Sequence, residues 1–317
     1  MLLIIINALA PVAFVILLGW LAGRYGVIAA TASSELAVLV LNFCLPADLF
    51  IGTASASPGQ LEDWRFFVAI AVGLLAIYLA GLVLARVVFR LRVDASALQA
   101  LNGSFPNMAF MGIPVLTAVT GPSAVLPVVV GNLVSSLVLL PVTLALLEAG
   151  KSATRGGHQG LTVIWHAVLG SIRQPLVIAP VVGVVVALLG WHLPEAIHNS
   201  FTLIGNATSG VALFALGLLL TGETLKLSLA AIVNVVMKNL AQPAVLCALV
   251  LLFDLPGEYR RELILLGALP TATITSMFAL RYKVYSSESN ATVLLSTILS
   301  IVTLGAAIAI TQIKMSH

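Results

Sequence analysis

Long apolar runs alternate with short polar breaks along the whole chain. A bilayer core about 30 Å thick is crossed by roughly 20 residues of helix. On that measure ten segments qualify: 3–23, 33–53, 66–89, 97–119, 124–148, 168–191, 199–221, 229–253, 262–281 and 290–312. The breaks carry turn formers and charges, such as Arg24-Tyr25-Gly26, Arg90-Leu91-Arg92, Gly121-Pro122 and the stretch 254–261. None is long enough to hold a soluble domain. The pattern therefore predicts an all-α polytopic membrane protein with ten transmembrane helices. The first run is apolar from residue 2, has no basic leader and is long enough to span, so it reads as a membrane helix and not as a signal peptide.

Composition sharpens this picture. Of 317 residues, 60% are apolar and 9% charged, against about 25% charged in a soluble domain. An ordinary soluble protein, a disordered chain and a nucleic-acid binder are excluded. The net charge of +3 reports orientation instead. Arg24, Arg86, Arg90, Arg92, Lys151, Arg155, Arg173, Lys226, Arg281 and Lys283 follow odd-numbered spans, whereas Arg65, Arg260, Arg261 and Lys314 lie on the other side. That bias places the odd loops in the cytoplasm and both termini outside. Cys44 and Cys247 sit inside apolar runs and read as small core residues. Neither zinc-type spacing nor a cofactor motif occurs. His192, Glu195 and His198 share a loop without completing a coordination set.

The halves resemble each other. Pro11 and Pro175 are 164 residues apart, and so are Asn42 and Asn206, Gly103 and Gly267, and Pro106 and Pro270. Each half holds five spans, an odd number, so the halves insert with opposite topology. The expected organisation is a first five-helix repeat at 1–149, a cytoplasmic linker at 150–164 and a second, inverted repeat at 165–317. Inverted repeats around a site at mid-bilayer are a transporter architecture.

Spans 4 and 9 carry the chemistry. Gly103-Ser104-Phe105-Pro106-Asn107 and Gly267-Ala268-Leu269-Pro270-Thr271 both place Gly-x-x-Pro inside an apolar run. Pro106 frees the carbonyl of Asn102, and Pro270 that of Leu266. Such backbone is tolerated at this depth only inside protein or beside a watery cavity. A plain proline kink is the bland alternative; recurrence at equivalent positions, with polar neighbours each time, favours helices that break and cross. Their half-helix N-termini attract anions, and Asn102, Asn107, Thr271 and Thr273 would add neutral hydrogen bonds.

The run Asn102-Gly-Ser-Phe-Pro-Asn-Met-Ala-Phe-Met-Gly-Ile-Pro-Val-Leu116 resembles the fourth-helix signature of the auxin efflux carrier family. Asn42–Phe50 is similar to its second helix and Arg173-Gln174-Pro175 to the start of its sixth. The compact chain, lacking a long central loop, looks like the bacterial members, which include malonate and malate transporters. The resemblance implies a scaffold of spans 1, 2, 6 and 7 and a transport domain of spans 3–5 and 8–10, in a bacterial inner membrane. It implies small organic anions as substrates, with Asn102, Pro106 and Asn107 at the substrate site. Asn132, Ser135 and Ser136 line the site in family members, and Pro270 belongs to the matching break. Asp48 departs from the apolar residue often found in the family.

Two ionisable residues within the spans are candidates for coupling to H+ or Na+. Asp48 follows Pro46 in span 2, and a carboxylate there is costly; a site near the outer boundary is its bland alternative. Lys238 in span 8 could attract substrate or pair with Asp48, although snorkelling toward the cytoplasm is the favoured expectation. Asn206, Thr208 and Ser209 read as interhelical hydrogen bonds, with a place facing the substrate as the alternative. With no His-Glu-x-x-His, facing acidic pair or Walker loop, the chain is not expected to be an enzyme or an ATP-driven pump. The reading is a secondary carrier for a small carboxylate such as malonate or malate, working by alternating access. An anion channel and a carboxylate-sensing receptor stand as alternatives. Expected partners are the carboxylate and the lipid bilayer, with a homodimer left open and no nucleic acid.

Overall fold

A computed structural model describes residues 2–55, 64–121, 125–154, 173, 175–191, 193–221 and 227–313. The expected linker lies outside this set beyond residue 154, as do His158, His166, His192 and His317. Among the described residues every regular element is helical: α1 Leu2–Arg24, α2 Ala32–Leu39, α3 Leu45–Ala54, α4 Trp64–Val87, α5 Val93–Ser104, α6 Ile113–Thr120, α7 Val125–Val134 and α8 Leu140–Thr154. The second half holds α9 Pro175–Leu188, α10 Glu195–Gly205, α11 Ala207–Leu219, α12 Leu229–Val236, α13 Gln242–Leu252, α14 Gly257–Ala268, α15 Ile274–Tyr282 and α16 Ser286–Ile313. Among the described residues, six helical segments are long and apolar enough to cross a bilayer: Ala32–Ala54, Trp64–Val87, Pro127–Lys151, Glu195–Leu219, Leu229–Leu252 and Ser286–Thr311. Ala10–Arg24 and Pro175–Leu188 are shorter apolar helices. The segments expected as spans 4 and 9 are each cut in two, α5 from α6 and α14 from α15.

Prolines explain how the longer segments stay continuous. Among the described residues, four wide π-turns, Val40–Cys44, Met108–Gly112, Ser135–Leu139 and Met237–Ala241, interrupt the helices. Each ends two residues before a proline: Pro46, Pro114, Pro141 and Pro243. A proline ring collides with the carbonyl four residues back and offers no N–H. One extra residue in the preceding turn swings that carbonyl aside while the helix continues.

Close packing follows the glycines. The most extensive helix pairs are α9 on α3 and α1 on α11. A methyl group on Gly19 would strike the Phe214 carbonyl, one on Gly217 the Ile16 carbonyl, and one on Gly183 the Thr53 side chain. Gly183 lies 164 residues after Gly19, and Gly217 lies 164 after Thr53. The two crossings therefore share pairs of residues 164 positions apart. The bounds of α5 and α14 are likewise offset by 164 at both ends. Arg90 and Asp254, again 164 apart, both take left-handed turns at φ 51° and 46°.

Candidate functional site

Both broken segments pause in extended backbone. After α5, Phe105 takes φ −91°, ψ 103°; after α14, Leu269 takes φ −59°, ψ 147°. The two strips run antiparallel, with Pro106 opposite Thr271. Asn107 N–H donates to the Pro270 carbonyl at 2.8 Å, and Ala272 N–H donates to the Phe105 carbonyl at 3.0 Å. Backbone that the prolines withdraw from the helices is thus paired across the crossover, as buried backbone must be.

The remaining helix ends are capped by side chains. The Asn102 carbonyl freed by Pro106 accepts from Thr271 Oγ1 at 2.9 Å, and the Ser104 carbonyl accepts from Gln242 Nε2 at 2.8 Å. Lys238 Nζ donates to the carbonyls of Gly267 (2.9 Å) and Leu269 (2.5 Å). Lys238 is completely buried, which corrects the expectation that it snorkels. Its Nζ lies at the C-terminal end of α14, and its bonded partners are carbonyls, not Asp48.

Asn102 is also fully engaged. Its Nδ2 donates to the Leu98 carbonyl and to Ser289 Oγ, each at 2.8 Å. Its Oδ1 accepts from Thr275 Oγ1 at 2.8 Å. Thr271 N–H donates to Ser296 Oγ at 2.9 Å, and Ser296 Oγ donates to Asn239 Oδ1 at 2.6 Å. Asn102 and Thr271 therefore bind the broken helices to each other and to α16. Sequence reasoning assigned no role to Ser289, Asn239, Gln242, Thr275 and Ser296. A signal existed: Ser289, Thr292, Ser296, Ser300 and Thr303 recur at helical spacing through an apolar run.

On the opposite flank a closed cavity of about 20 Å³ is lined by Asp48, Pro106, Asn107, Asn132 and Thr208, with Phe105, Met108 and Ala272 among its apolar walls. It brings together three of the expected site residues, Pro106, Asn107 and Asn132, and one coupling candidate, and leaves Asn102, Thr271 and Lys238 outside its lining. Asn107 Oδ1 and Thr208 Oγ1 are buried without a hydrogen-bond partner, as are Ser135 Oγ and Thr273 Oγ1 close by in sequence to the lining residues. Thr208 thus faces the cavity instead of making the interhelical bond expected of it, and Asn206 is exposed. A buried polar atom left unbonded costs about 1–3 kcal/mol, so this cluster marks unmet hydrogen-bonding capacity. The cavity admits about one water. Any metabolite enters only when its walls part. Among the described residues no group of His, Cys, Asp and Glu is placed to hold a metal ion, and Cys44 and Cys247 are free.

A buried crossover of two broken helices, in a bundle of apolar membrane-length segments, is the build of a membrane transporter. A family profile described as "Membrane transport protein" matches residues 4–308, and the chain belongs to that family, which takes in the auxin efflux carriers. It is 28% identical to "Uncharacterized transporter YfdV" of Escherichia coli (strain K12) over 306 residues, covering 96% of each chain. It is 27% identical over 294 residues to "Putative malonate transporter" of Rhizobium meliloti (strain 1021), covering 91% of this chain and 90% of the other. "Auxin efflux carrier component 8" of Arabidopsis thaliana is 23% identical over 224 residues, 57% of this chain and 61% of that one.

Proposed function

We propose that the protein is a secondary transporter of a small organic anion, a dicarboxylate such as malonate, in a bacterial inner membrane. Ten spans form two inverted five-helix repeats, residues 1–149 and 165–317. The recurrence of helix bounds, glycine crossings and left-handed turns at an offset of 164 supports this reading. Spans 1, 2, 6 and 7 serve as the scaffold; spans 3–5 and 8–10 carry the crossover past it. Both termini lie outside. The malonate assignment draws on the name of the relative described above.

The carrying observation is that Asp48 lines the same closed cavity as Asn107, Asn132 and Thr208. The Asn107 amide and the hydroxyls of Thr208 and Ser135 can rotate to donate to a carboxylate. An ionised Asp48 beside that anion would be repelled by about 4 kcal/mol at 4 Å in a medium of effective dielectric 20. The two negative charges are compatible when a proton or a sodium ion neutralises Asp48. Substrate and cation then bind together and leave together, which is symport. Lys238 fixes the crossover and stands apart from this exchange.

In proteoliposomes, labelled malonate uptake is expected to saturate and to accelerate under an inward proton or sodium gradient. Asp48→Asn is expected to keep malonate binding and lose the gradient dependence. Uptake that never saturates would indicate a channel, and a gradient response unchanged in Asp48→Asn would remove the coupling role.

A further inference from the structure

A second cavity, of about 910 Å³, opens where the loops after α4 and α15 meet the end of α8. Its walls hold five cations, Arg90, Arg92, Lys151, Arg281 and Lys283, against two carboxylates, Asp94 and Glu148. Both carboxylates are engaged: Asp94 pairs with Arg92 at 3.0 Å, and Glu148 Oε1 accepts from Tyr282 Oη at 2.9 Å. The volume lies within the range of ligand pockets. A carboxylate bound in it would meet a concave surface of net positive charge, which concentrates anions.

Its position relative to the crossover gives it a role. Leu140 and Ile274 border the small closed cavity. Leu147 and Arg281, each seven residues further along the same two helices, border the basic one. Seven residues of helix rise about 10 Å. The two cavities are therefore stacked between α8 and α15, and the Tyr282–Glu148 bond ties those helices together. Arg281 Nη1 also donates to Asn42 Oδ1 at 3.0 Å, joining the end of α15 to the wide turn before α3. Lys283 sits in a left-handed turn at φ 55° and Arg90 in one at φ 51°. At the position corresponding to Arg90 the same turn carries Asp254, so the turn geometry does not dictate a positive charge.

We propose that this basic cavity is a second anion site, an antechamber that holds a small carboxylate about 10 Å from the crossover before the walls of the closed cavity part. The assignment rests on the anion-transport reading for its role in the path, though not for its binding chemistry.

The test uses the full chain with Cys44→Ala and Cys247→Ala, reconstituted in nanodiscs, and Ala95→Cys as a reporter in the cavity wall. A negatively charged sulfonate thiosulfonate reagent should label Cys at this position at least about tenfold faster than its trimethylammonium counterpart, the lower end of electrostatic focusing. Malonate, as the added probe, should slow the sulfonate reagent. The pair Arg90→Gln and Lys283→Gln should abolish both the preference and the protection, while a folded elution profile shows that the protein survives. Equal labelling by both reagents, or labelling indifferent to malonate, overturns the antechamber. Protection without any malonate transport in proteoliposomes would leave this site standing and remove malonate as the transported substrate. Transport without protection would do the reverse.

Discussion

The two flanks of the crossover use similar residues to opposite ends. On one flank Asn102, Thr271, Ser296 and Asn239 close on one another and on backbone. On the other, Asn107 and Thr208 border a cavity with oxygens that bond to nothing. Residues 164 positions apart diverge: Ser296 lies 164 residues after Asn132, and Thr271 lies 164 after Asn107. One copy of each pair stitches the crossover together, and the other lines the space beside it. Both halves thus contribute to both flanks, and the difference lies in which polar groups find partners: one set holds the break, and the other is left bordering the cavity. Satisfied groups contribute to stability; unsatisfied groups cost stability and favour binding. Mutations on the two flanks should therefore separate stability from affinity.

The largest loss is expected at Lys238. Lys238→Met keeps the volume but leaves the Gly267 and Leu269 carbonyls without their donor. Relief of the buried charge offsets part of this. A net loss of ~3 kcal/mol should lower Tm in detergent by roughly 5–10 °C. A Tm equal to wild type would mean that Lys238 does not cap α14.

Asn102→Ala comes next. It removes three hydrogen bonds and leaves Ser289 Oγ without its donor, while Thr275 keeps the Ala272 carbonyl, for about 2 kcal/mol. Its Tm should fall by roughly 4–8 °C, and Asn102→Asp, which keeps one acceptor and adds a charge, should not restore it. If Asn102→Ala instead kept the wild-type Tm and lost only malonate binding, Asn102 would belong to the site and the comparison of flanks would fail.

How much of this was legible in the sequence depended on the kind of signal. The breaks at Pro106 and Pro270 were readable because proline changes backbone chemistry wherever it sits, and their crossing followed from the constant offset. The wide turns before Pro46, Pro114, Pro141 and Pro243 obey the same proline rule, but hydropathy runs show only that a segment is apolar, not how its turns widen. Lys238 was misplaced because run length gives depth and says nothing of which carbonyls lie beside a side chain. Asn102 and Asn107 share a residue type and a motif. Five positions along an interrupted helix set one against Thr275 and Ser289 and the other on the cavity that Asp48 also lines, and that separation exists only after α5 and α14 have crossed. Thr208 was read as a packing contact because threonines in membrane helices usually bond within the bundle.

On the open flank, Asn107→Ala should keep Tm within about 2 °C of wild type, since it removes an oxygen that is already unpaired. Thermal stabilisation by malonate should weaken at least tenfold in concentration, about 1.4 kcal/mol. Undiminished stabilisation would exclude Asn107 from the substrate site.

The smallest effect tests the sign of the argument most directly. Thr208→Val replaces a buried, unbonded hydroxyl by a methyl group of nearly the same shape. In a fully bonded network that change strands a partner and destabilises; here no partner is left behind, and the cost of burying the hydroxyl is removed. Tm should therefore stay level or rise by up to ~2 °C, because deleting an unsatisfied polar group is neutral or favourable. Malonate affinity should fall about threefold, the loss of a fraction of one hydrogen bond to a charged group. A lowered Tm would show that the Thr208 hydroxyl is bonded in the closed state, and the cavity flank would then hold less unmet capacity than the Asn107 and Ser135 oxygens imply.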